Sequence, residues 1–254
     1  MDKNMQLYEN ERIDFVNDDL SLIQKTDGLT FGTDALLLAA YVSGRYKTGV
    51  EIGSGTGIIS MLLLTRKKVD EIFAVEVQED FAELSQRNAE LNRLTDRMHC
   101  VHSDVREFNM DSECEIVFTN PPYMKTTSGR HNLTDAKNEA RHEVHGDIEE
   151  LLCAGTKNLK YGGSLYVVYR QDRLIDLISA IRSAGCEPKR MTLVHASIKK
   201  EPSMVLIEAK KGGKSGILVT RPLVIYTDST HKCYTDDMNY IMENGAFPKG
   251  FVKN

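Results

Sequence analysis

Short hydrophobic segments typical of buried strands alternate with helical segments along most of this chain. The strand-like segments lie at residues 48–52, 71–77, 98–103, 116–119, 164–169, 191–195 and 204–210. The helical segments lie at residues 58–65, 80–94, 148–159 and 172–183. Strands that are joined through helices pair in parallel, because the helix carries the chain back to the edge where the previous strand began. The alternation therefore predicts an α/β fold with a mostly parallel, seven-stranded sheet and helices on both faces.

The alternation also sets the predicted domain boundaries. Residues 47–211 form the predicted core. Residues 1–46 precede it as an N-terminal extension that ends in a helix predicted over residues 34–41. Residues 212–254 follow it, with one more predicted strand at 223–226 and a polar tail.

Composition argues against a membrane protein and against a protein that coats nucleic acid through charge alone. The 254 residues are 41% hydrophobic and 27% charged, without a run of about 18 apolar residues of the kind that spans a bilayer. The net charge is −5, and the acidic N-terminus does not resemble a secretory signal. The five cysteines are dispersed, without a C-x-x-C pair, which predicts free thiols and a cytoplasmic location.

The first core strand leads into a glycine-rich turn, GVEIGSGTGIIS, at residues 49–60. Gly53, Gly55 and Gly57 follow the strand and open the next helix. A dinucleotide-binding turn requires a glycine where Ile58 stands, and a P-loop requires a Gly-Lys-Ser/Thr sequence that the turn lacks. The spacing therefore disfavours both phosphate-binding motifs.

The turn does resemble the Glu-x-Gly-x-Gly-x-Gly turn of class I S-adenosylmethionine-dependent methyltransferases. The resemblance implies a Rossmann-like fold, S-adenosylmethionine as cofactor, and Glu51 beneath its methionine portion. Glu76 and Asp104 follow the next two strands, where we expect contacts to the ribose hydroxyls and the adenine amino group. Since ligands of open α/β sheets bind at the carboxyl ends of strands, these three acids indicate one cofactor site. The expected turn contacts are Gly53, Ser54, Gly55 and Gly57.

The fourth core strand ends in Asn-Pro-Pro-Tyr, residues 120–123, at the same predicted edge. Methyl transfer requires a nucleophile held in line with the methyl group, and an exocyclic adenine amine is a poor one because its lone pair is delocalised. We expect the Asn120 side-chain oxygen and the Pro121 carbonyl to accept the two amine hydrogens. Pro122 would stiffen the backbone and Tyr123 would stack on the base. The motif resembles that of amino-methyltransferases that act on adenine, cytosine, guanine or a glutamine amide.

Similarity along nearly the whole chain then identifies a narrower family, the bacterial tRNA1(Val) adenine-37 N6-methyltransferases. It is carried by ERIDFV, LSLIQKTDGLTFGTDALLLAAYV, the glycine turn, NPPYMK, EARHE and RPLVIY. The resemblance implies methylation of an exocyclic adenine amine in RNA, with tRNA as the expected substrate. It also places the segment before the first core strand against the cofactor, which makes Phe31, Gly32, Thr33 and Asp34 candidates together with Asn120. Thr33 and Asp34 equally fit the start of a helix.

Two basic regions are candidates for contacting RNA. The long polar loop at residues 125–145 is typical of a functional loop, and we expect Lys125, Arg130 and Arg141 to bind the substrate. Residues 186–221 carry eight bases against three acids, which fits either a solvated face or a phosphate-contacting surface. The sequence HEVH at residues 142–145 spaces its histidines three apart rather than four, so no metal is expected.

Two other functions remain open on sequence alone. The first keeps the chemistry but changes the target to another RNA base or to a protein glutamine amide. The second is a non-catalytic RNA-binding module that retains the fold. A nicotinamide-dependent dehydrogenase is disfavoured, because Ile58 interrupts its glycine turn.

Overall fold

A computed structural model describes residues 7–26, 31–121 and 147–251 as a mixed sheet flanked by helices. The N-terminal extension forms β1 (Glu11–Asn17), β2 (Leu20–Lys25) and α1 (Thr33–Tyr41). The core strands are β3 (Tyr46–Ile52), β4 (Val69–Glu76), β5 (Met98–His102), β6 (Cys114–Thr119), β7 (Leu159–Arg170), β8 (Cys186–Ser197) and β9 (Pro202–Lys211). The core helices are α2 (Ile58–Thr65), α3 (Glu79–Leu91), α4 (Ile148–Gly155) and α5 (Leu174–Ser183). The C-terminal part forms β10 (Leu218–Val219), β11 (Leu223–Tyr226) and α6 (Asp236–Asn244).

The main sheet has the strand order β10-β8-β9-β7-β6-β3-β4-β5, and β11 also pairs with β8. Strands β5, β4, β3, β6 and β7 are parallel, whereas β9 runs antiparallel to both β7 and β8. The predicted seven-stranded, mostly parallel core is therefore confirmed, and β10 and β11 extend it to nine strands. Strands β4 and β5 are added on one side of β3, and the next strand, β6, is added on its other side. The strand order therefore reverses between β3 and β6.

Both faces of the sheet are buried at its centre, which explains why residues 116–118 of β6 are a continuous hydrophobic run rather than an alternating one. In β6, Ile116 and Phe118 pack into the cluster that contains α1, α2 and α6. Val117, which lies between them, packs into the opposite cluster with α4 and α5. One strand thus contributes to two cores, because successive side chains point to opposite faces.

The N-terminal hairpin is attached to α3 by two asparagines one helical turn apart. Asn88 accepts a hydrogen bond from the Ile23 N–H (2.7 Å) and donates to the Ile23 carbonyl (3.1 Å). Asn92 makes the same pair of bonds to Ser21, at 3.0 and 2.8 Å. Asn88 and Asn92 are four residues apart on a helix, a rise of about 6 Å, and Ile23 and Ser21 are two residues apart on a strand, about 6.6 Å. The two asparagines are therefore spaced to reach alternate residues of β2. Asn88 also donates to the carbonyl of Thr56 (3.1 Å), which joins the hairpin to the glycine turn.

Two predicted boundaries differ from the structure, and one helix of the C-terminal tail was not predicted. The helix predicted over residues 148–159 ends at Gly155, and the strand predicted from residue 164 begins at Leu159. The C-terminal tail contains α6, which the sequence analysis missed. Thr235 caps this helix by accepting the Met238 N–H, and Gly245 ends it with a φ of 61°.

Two general expectations can be compared with the described ranges. In these parts of the chain, no helix is both long and apolar enough to cross a membrane. Cys100, Cys114, Cys153, Cys186 and Cys233 are all free thiols.

Asn88→Ala is expected to destabilise the protein by about 3 kcal/mol, because it leaves the buried N–H and carbonyl of Ile23 without partners. Urea denaturation measures the change in the free energy of unfolding. Asn244→Ala is the matched control, since Asn244 is exposed at the end of α6 and donates only to its own helix. Equal losses in the two variants would contradict the role given to Asn88.

Candidate active site

The end of β3 and the end of β6 meet where the strand order reverses. Ile52 pairs with Thr119 in the parallel register, and the Thr119 hydroxyl donates to the Ile52 carbonyl at 2.8 Å. Gly53 and Asn120 therefore leave neighbouring strands at the same level of the sheet. Ligands of open α/β sheets bind in the crevice at such a point.

The glycine turn presents an open backbone on one side and a packed one on the other. Gly53, Gly55 and Gly57 have φ values of 66°, 53° and 80°, which favour glycine. A Cβ built on Gly53 or Gly55 would meet nothing within 4 Å. A Cβ on Gly57 would lie 2.5 Å from Met98 Cε and 2.6 Å from Ser85 Oγ. The first two glycines thus leave space for a ligand, whereas the third allows the turn to pack against α3 and β5.

Ser54 supplies a second sign of a binding site within the turn. Its hydroxyl is buried, and among the described residues it has no hydrogen-bond partner. Buried polar atoms are normally paired, so an unpaired hydroxyl beside open space fits the contact of a polar ligand.

Glu76 lies at the end of β4 and organises the turn. One carboxylate oxygen accepts the Gly55 N–H at 2.8 Å, and the other accepts the Gln78 N–H at 2.9 Å. An ionised carboxylate has about four acceptor sites, so each oxygen can accept one more hydrogen bond. The side chain is therefore fixed in place and can still bind a pair of hydroxyls.

Glu51 is fully buried beneath the turn. Its carboxylate accepts the Ser60 N–H at 3.1 Å and also the Ser60 hydroxyl. Burial raises the pKa of Glu51 from 4.5 to about 8, because desolvation penalises the charged form more than the bonds from Ser60 favour it. A bound cation near Glu51 would favour the ionised form.

Asp104 follows β5, as expected, but its carboxylate is engaged by a neighbour two residues along the chain. It accepts hydrogen bonds from the backbone N–H of Arg106 and from the Arg106 guanidinium, both at 2.9 Å. Contact with an adenine amino group would therefore share this carboxylate with Arg106 or displace the guanidinium.

Asn120 is oriented by a side chain of the N-terminal extension. Its amide nitrogen donates to the Asp34 carboxylate at 3.2 Å, from the first turn of α1. Because a carboxylate only accepts hydrogen bonds, this contact fixes which side of the amide carries the N–H groups. The amide oxygen is then directed away from Asp34. From the sequence, Asp34 was expected in a helix start or in a cofactor contact, and its pairing with Asn120 was not predicted.

The remaining candidates of the N-terminal extension lie beside this pair. Thr33 is the first residue of α1 and is partly buried, like Phe31. The Phe31 N–H donates to the side chain of Gln24 at 2.8 Å. Gln24 is only 1% exposed and also donates to Asp14, so it links the hairpin to the segment before α1. A polar residue within an apolar strand is the sequence feature that marks Gln24, and this role was not predicted.

Pro121 is buried directly after Asn120. The other candidates fall outside the described residues, as do the polar loop at 125–145 and the HEVH sequence. They are Pro122, Tyr123, Lys125, Arg130 and Arg141.

Most bases of the region 186–221 hold the fold together. Arg190 pairs with Glu208 at 2.9 Å, and Arg221 with Asp237 at 2.8 Å. Lys189, Lys210 and Lys211 donate to backbone carbonyls or to a serine hydroxyl at 2.6–2.8 Å. A phosphate-contacting surface across the whole region is therefore not supported. The other three bases are Lys199, Lys200 and Lys214.

This strand order, with a glycine turn after the central strand and an acid after the next, defines the Rossmann-like methyltransferase class. The chain belongs to the methyltransferase small domain family, whose model matches residues 25–176. The resemblance to methyltransferases predicted from the sequence is thus confirmed.

Similar proteins support this assignment. The tRNA1(Val) (adenine(37)-N6)-methyltransferase of Porphyromonas gingivalis is 29% identical over 188 residues, which cover 70% of this chain and 72% of that protein. The protein of the same name from Flavobacterium psychrophilum is 26% identical over 242 residues, covering 91% and 95%. Among solved structures, a predicted O-methyltransferase from Agrobacterium tumefaciens has a TM-score of 0.66 at 23% identity and covers 85% of this chain and 98% of its own. The tRNA m1G37 methyltransferase of M. jannaschii has a TM-score of 0.51 at 19% identity, covering 81% and 58%. These two structures show a common fold.

Gly55→Ala is expected to weaken ligand binding mainly, and Gly57→Ala is expected to lower stability mainly. At Gly55 the new Cβ enters open space, so the variant should fold, with the free energy of unfolding lower by about 1–2 kcal/mol because of left-handed strain. The same Cβ occupies the space left for the ligand, so S-adenosylmethionine should bind at least 10-fold more weakly. At Gly57 the Cβ also collides with Met98 and Ser85, so the loss of stability should be larger. Thermal unfolding and calorimetric titration separate the two effects. Unchanged affinity in Gly55→Ala would show that the ligand does not approach there.

Glu51→Gln is expected to stabilise the ligand-free protein increasingly as the pH rises. The folded-state pKa of about 8 lies above the unfolded value of 4.5, so the folded state retains a proton that the unfolded state loses. Wild-type stability should therefore fall between pH 5 and pH 8, by about 2–4 kcal/mol relative to the variant. Urea denaturation at both pH values measures this difference. Glu79→Gln, at an exposed position of α3, should show no such trend, and a pH-independent effect of Glu51→Gln would contradict the raised pKa.

Proposed function

We propose that this protein is an S-adenosylmethionine-dependent N-methyltransferase that acts on the N6 amine of an adenine in RNA, with tRNA as its substrate. The observation that carries the proposal is the position of Asn120, which leaves β6 beside the glycine turn with its amide oriented by Asp34. The names of the relatives support the same reaction, because they act on adenine 37 of tRNA1(Val).

The residues at the carboxyl edge fit S-adenosylmethionine, which supplies an electrophilic methyl group on a sulfonium. The open backbone at Gly53 and Gly55 admits close approach, and the buried Ser54 hydroxyl gains a partner. Glu76 can accept the ribose hydroxyls with its remaining acceptor sites. Glu51, buried beneath the turn, favours a ligand with positive charge.

Asn120 orients the adenine amine for methyl transfer. Its amide oxygen accepts one hydrogen of the adenine amine, and the Pro121 carbonyl accepts the other. Two acceptors placed in this way favour a pyramidal nitrogen and direct its lone pair toward the methyl group. Positive charge develops on the amine as its new bond to the methyl carbon forms and the bond from that carbon to the sulfonium sulfur breaks, and this charge is relieved when the amine releases a proton to water. An oriented amide is therefore sufficient, and a charged base is not required.

Asp34 acts through Asn120 as a positioning residue. Without the carboxylate the amide could turn over, and its N–H groups would then face the hydrogens of the amine. We place Asp34 in this role because its contact joins α1 to the residue that follows β6.

Asn120→Ala is expected to lower kcat for RNA methylation about 100-fold, since misplacement of a reacting group costs this order of rate. Asp34→Asn keeps the size of the side chain but removes the obligate acceptor, so its kcat should fall less, by about 10-fold. Transfer of a labelled methyl group to total tRNA measures both rates. Asn109→Ala, which changes an exposed asparagine, should retain wild-type activity.

The target is identified by mass spectrometry of nucleosides from tRNA and rRNA of a strain that lacks the gene. N6-methyladenosine should be lost from tRNA and should return with the wild-type gene but not with Asn120→Ala. An unchanged tRNA profile would show that the substrate assignment is wrong. A change confined to rRNA would favour another RNA base as the target, and an unchanged nucleoside profile in both RNAs would favour a protein glutamine.

A further inference from the structure

The edge that carries Asn120 continues across the sheet to the C-terminal strands. Strand β8 is parallel to β7, because both are antiparallel to β9, and β11 is parallel to β8. Tyr226, at the end of β11, pairs with Ser197, at the end of β8. The β8–β9 turn and the segment after β11 therefore leave the sheet on the same side as Asn120.

The segment after β11 brings three aromatic rings together. Tyr226 stacks with His231 at a centroid distance of 4.6 Å and an interplanar angle of 20°. It also stacks with Tyr234, at 5.2 Å and 23°. His231 and Tyr234 are both exposed, Tyr234 by 38%. Tyr226 is partly buried and packs against the core, whereas the two exposed rings contribute little to the core and leave surface available to a partner.

The loop that carries these rings is held in one shape by its own hydrogen bonds. The Thr227 N–H donates to the Cys233 carbonyl at 3.0 Å, which closes the loop at its base. Asp228 accepts the N–H and the hydroxyl of Thr230, at 2.7 and 2.6 Å. Thr235 donates its hydroxyl to the Val224 carbonyl at 2.6 Å. The rings are thus arranged before any partner binds, which reduces the entropy lost on binding.

Exposed cations lie on the segment that carries the rings and on the neighbouring β8–β9 turn. Lys232 lies between His231 and Tyr234 in the chain, and Lys199 and Lys200 lie in the β8–β9 turn, directly after the partner strand of Tyr226. The acids of these segments are Glu201 and Asp228, and Asp228 is bonded within its loop. Rings with nearby cations are the combination that binds unpaired nucleotides, because bases stack on the rings and phosphates attract the cations.

We propose that this surface binds unpaired nucleotides of the RNA substrate at a distance from the methylated base. We call it the aromatic platform and define it as Tyr226, His231 and Tyr234 with Lys199, Lys200 and Lys232. The inference rests on the proposed function. Four strand spacings of about 4.8 Å separate β6 from β11, so the platform lies about 19 Å along the edge from Asn120. A base stacked there belongs to a separate part of the RNA and adds affinity without entering the reaction.

The test uses the full-length protein with ring-removing and ring-retaining variants. Tyr234→Ala and His231→Ala should each raise the KM for total tRNA about 10-fold, because stacking of one base has an energy of this order. Tyr234→Phe keeps a ring and should retain the wild-type KM. The kcat and the affinity for S-adenosylmethionine should not change in these variants. Tyr161→Ala is the matched control, since Tyr161 is an exposed tyrosine near the opposite end of β7.

Charge is tested separately with Lys199→Gln, Lys200→Gln and, as control, Lys214→Gln. Each lysine that contacts a phosphate contributes about one unit to the slope of log affinity against log salt. The first two variants should reduce this slope in a filter-binding assay with total tRNA. Lys214→Gln should not, because Lys214 follows β9 at the opposite edge of the sheet.

The outcomes distinguish this inference from the proposed function. If the wild-type protein methylates tRNA but Tyr234→Ala and His231→Ala keep its KM and its affinity for tRNA, the inference about the aromatic platform is wrong and the proposed function stands. If no RNA is methylated, the proposed function fails, and filter binding still decides whether the rings contribute to affinity for tRNA. A variant that unfolds early in a thermal melt is replaced by the other ring variant, whose result then decides.

Discussion

The parallel pairing of β3 with β6 is the constraint on which the rest of the site depends. Its register joins Ile52 to Thr119, and the hydroxyl of Thr119 bonds the Ile52 carbonyl. A slip of one residue would turn every side chain of β6 to the opposite core, where its volume would not match its neighbours, so close packing on both faces fixes this register. The glycine turn and Asn120 are therefore held side by side by the hydrophobic sheet, and neither has to supply the energy that brings them together.

The N-terminal extension completes the site through amide and carboxylate side chains. Asn88 bonds both the hairpin and the glycine turn, Gln24 bonds the backbone of Phe31, and Asp34 bonds Asn120. These contacts form a connected path from the glycine turn to the residue that follows β6. Because the buried groups on this path would be costly to leave unpaired, the extension is bound to the core more firmly than its two short strands alone would allow.

Local patterns in the sequence predicted most of the fold, and non-local pairings account for what they missed. The helix at residues 58–65 was predicted with its observed bounds, because a glycine turn and a continuous apolar run determine it locally. Helix α6 was missed although Thr235 and Gly245 mark its ends, since its polar residues obscured its buried side. The bases of region 186–221 could not be interpreted by counting, because the carbonyls that Lys211 bonds lie more than 50 residues away in sequence. The pairing of Asp34 with Asn120 spans 86 residues and was equally invisible.

The sheet edge divides at the border between β3 and β6 into two parts with different physical demands. On one side, β3 to β5 end in glycines and carboxylates whose positions are set within a few residues of each strand, which suits a ligand of fixed shape. On the other side, β7 to β11 lengthen the edge with turns and loops that depend on long-range pairing. Under the function proposed above, a macromolecular substrate contacts this longer edge beyond the base held at Asn120, so the local turns of β3 to β5 serve the cofactor and the long-range loops of β7 to β11 serve the RNA.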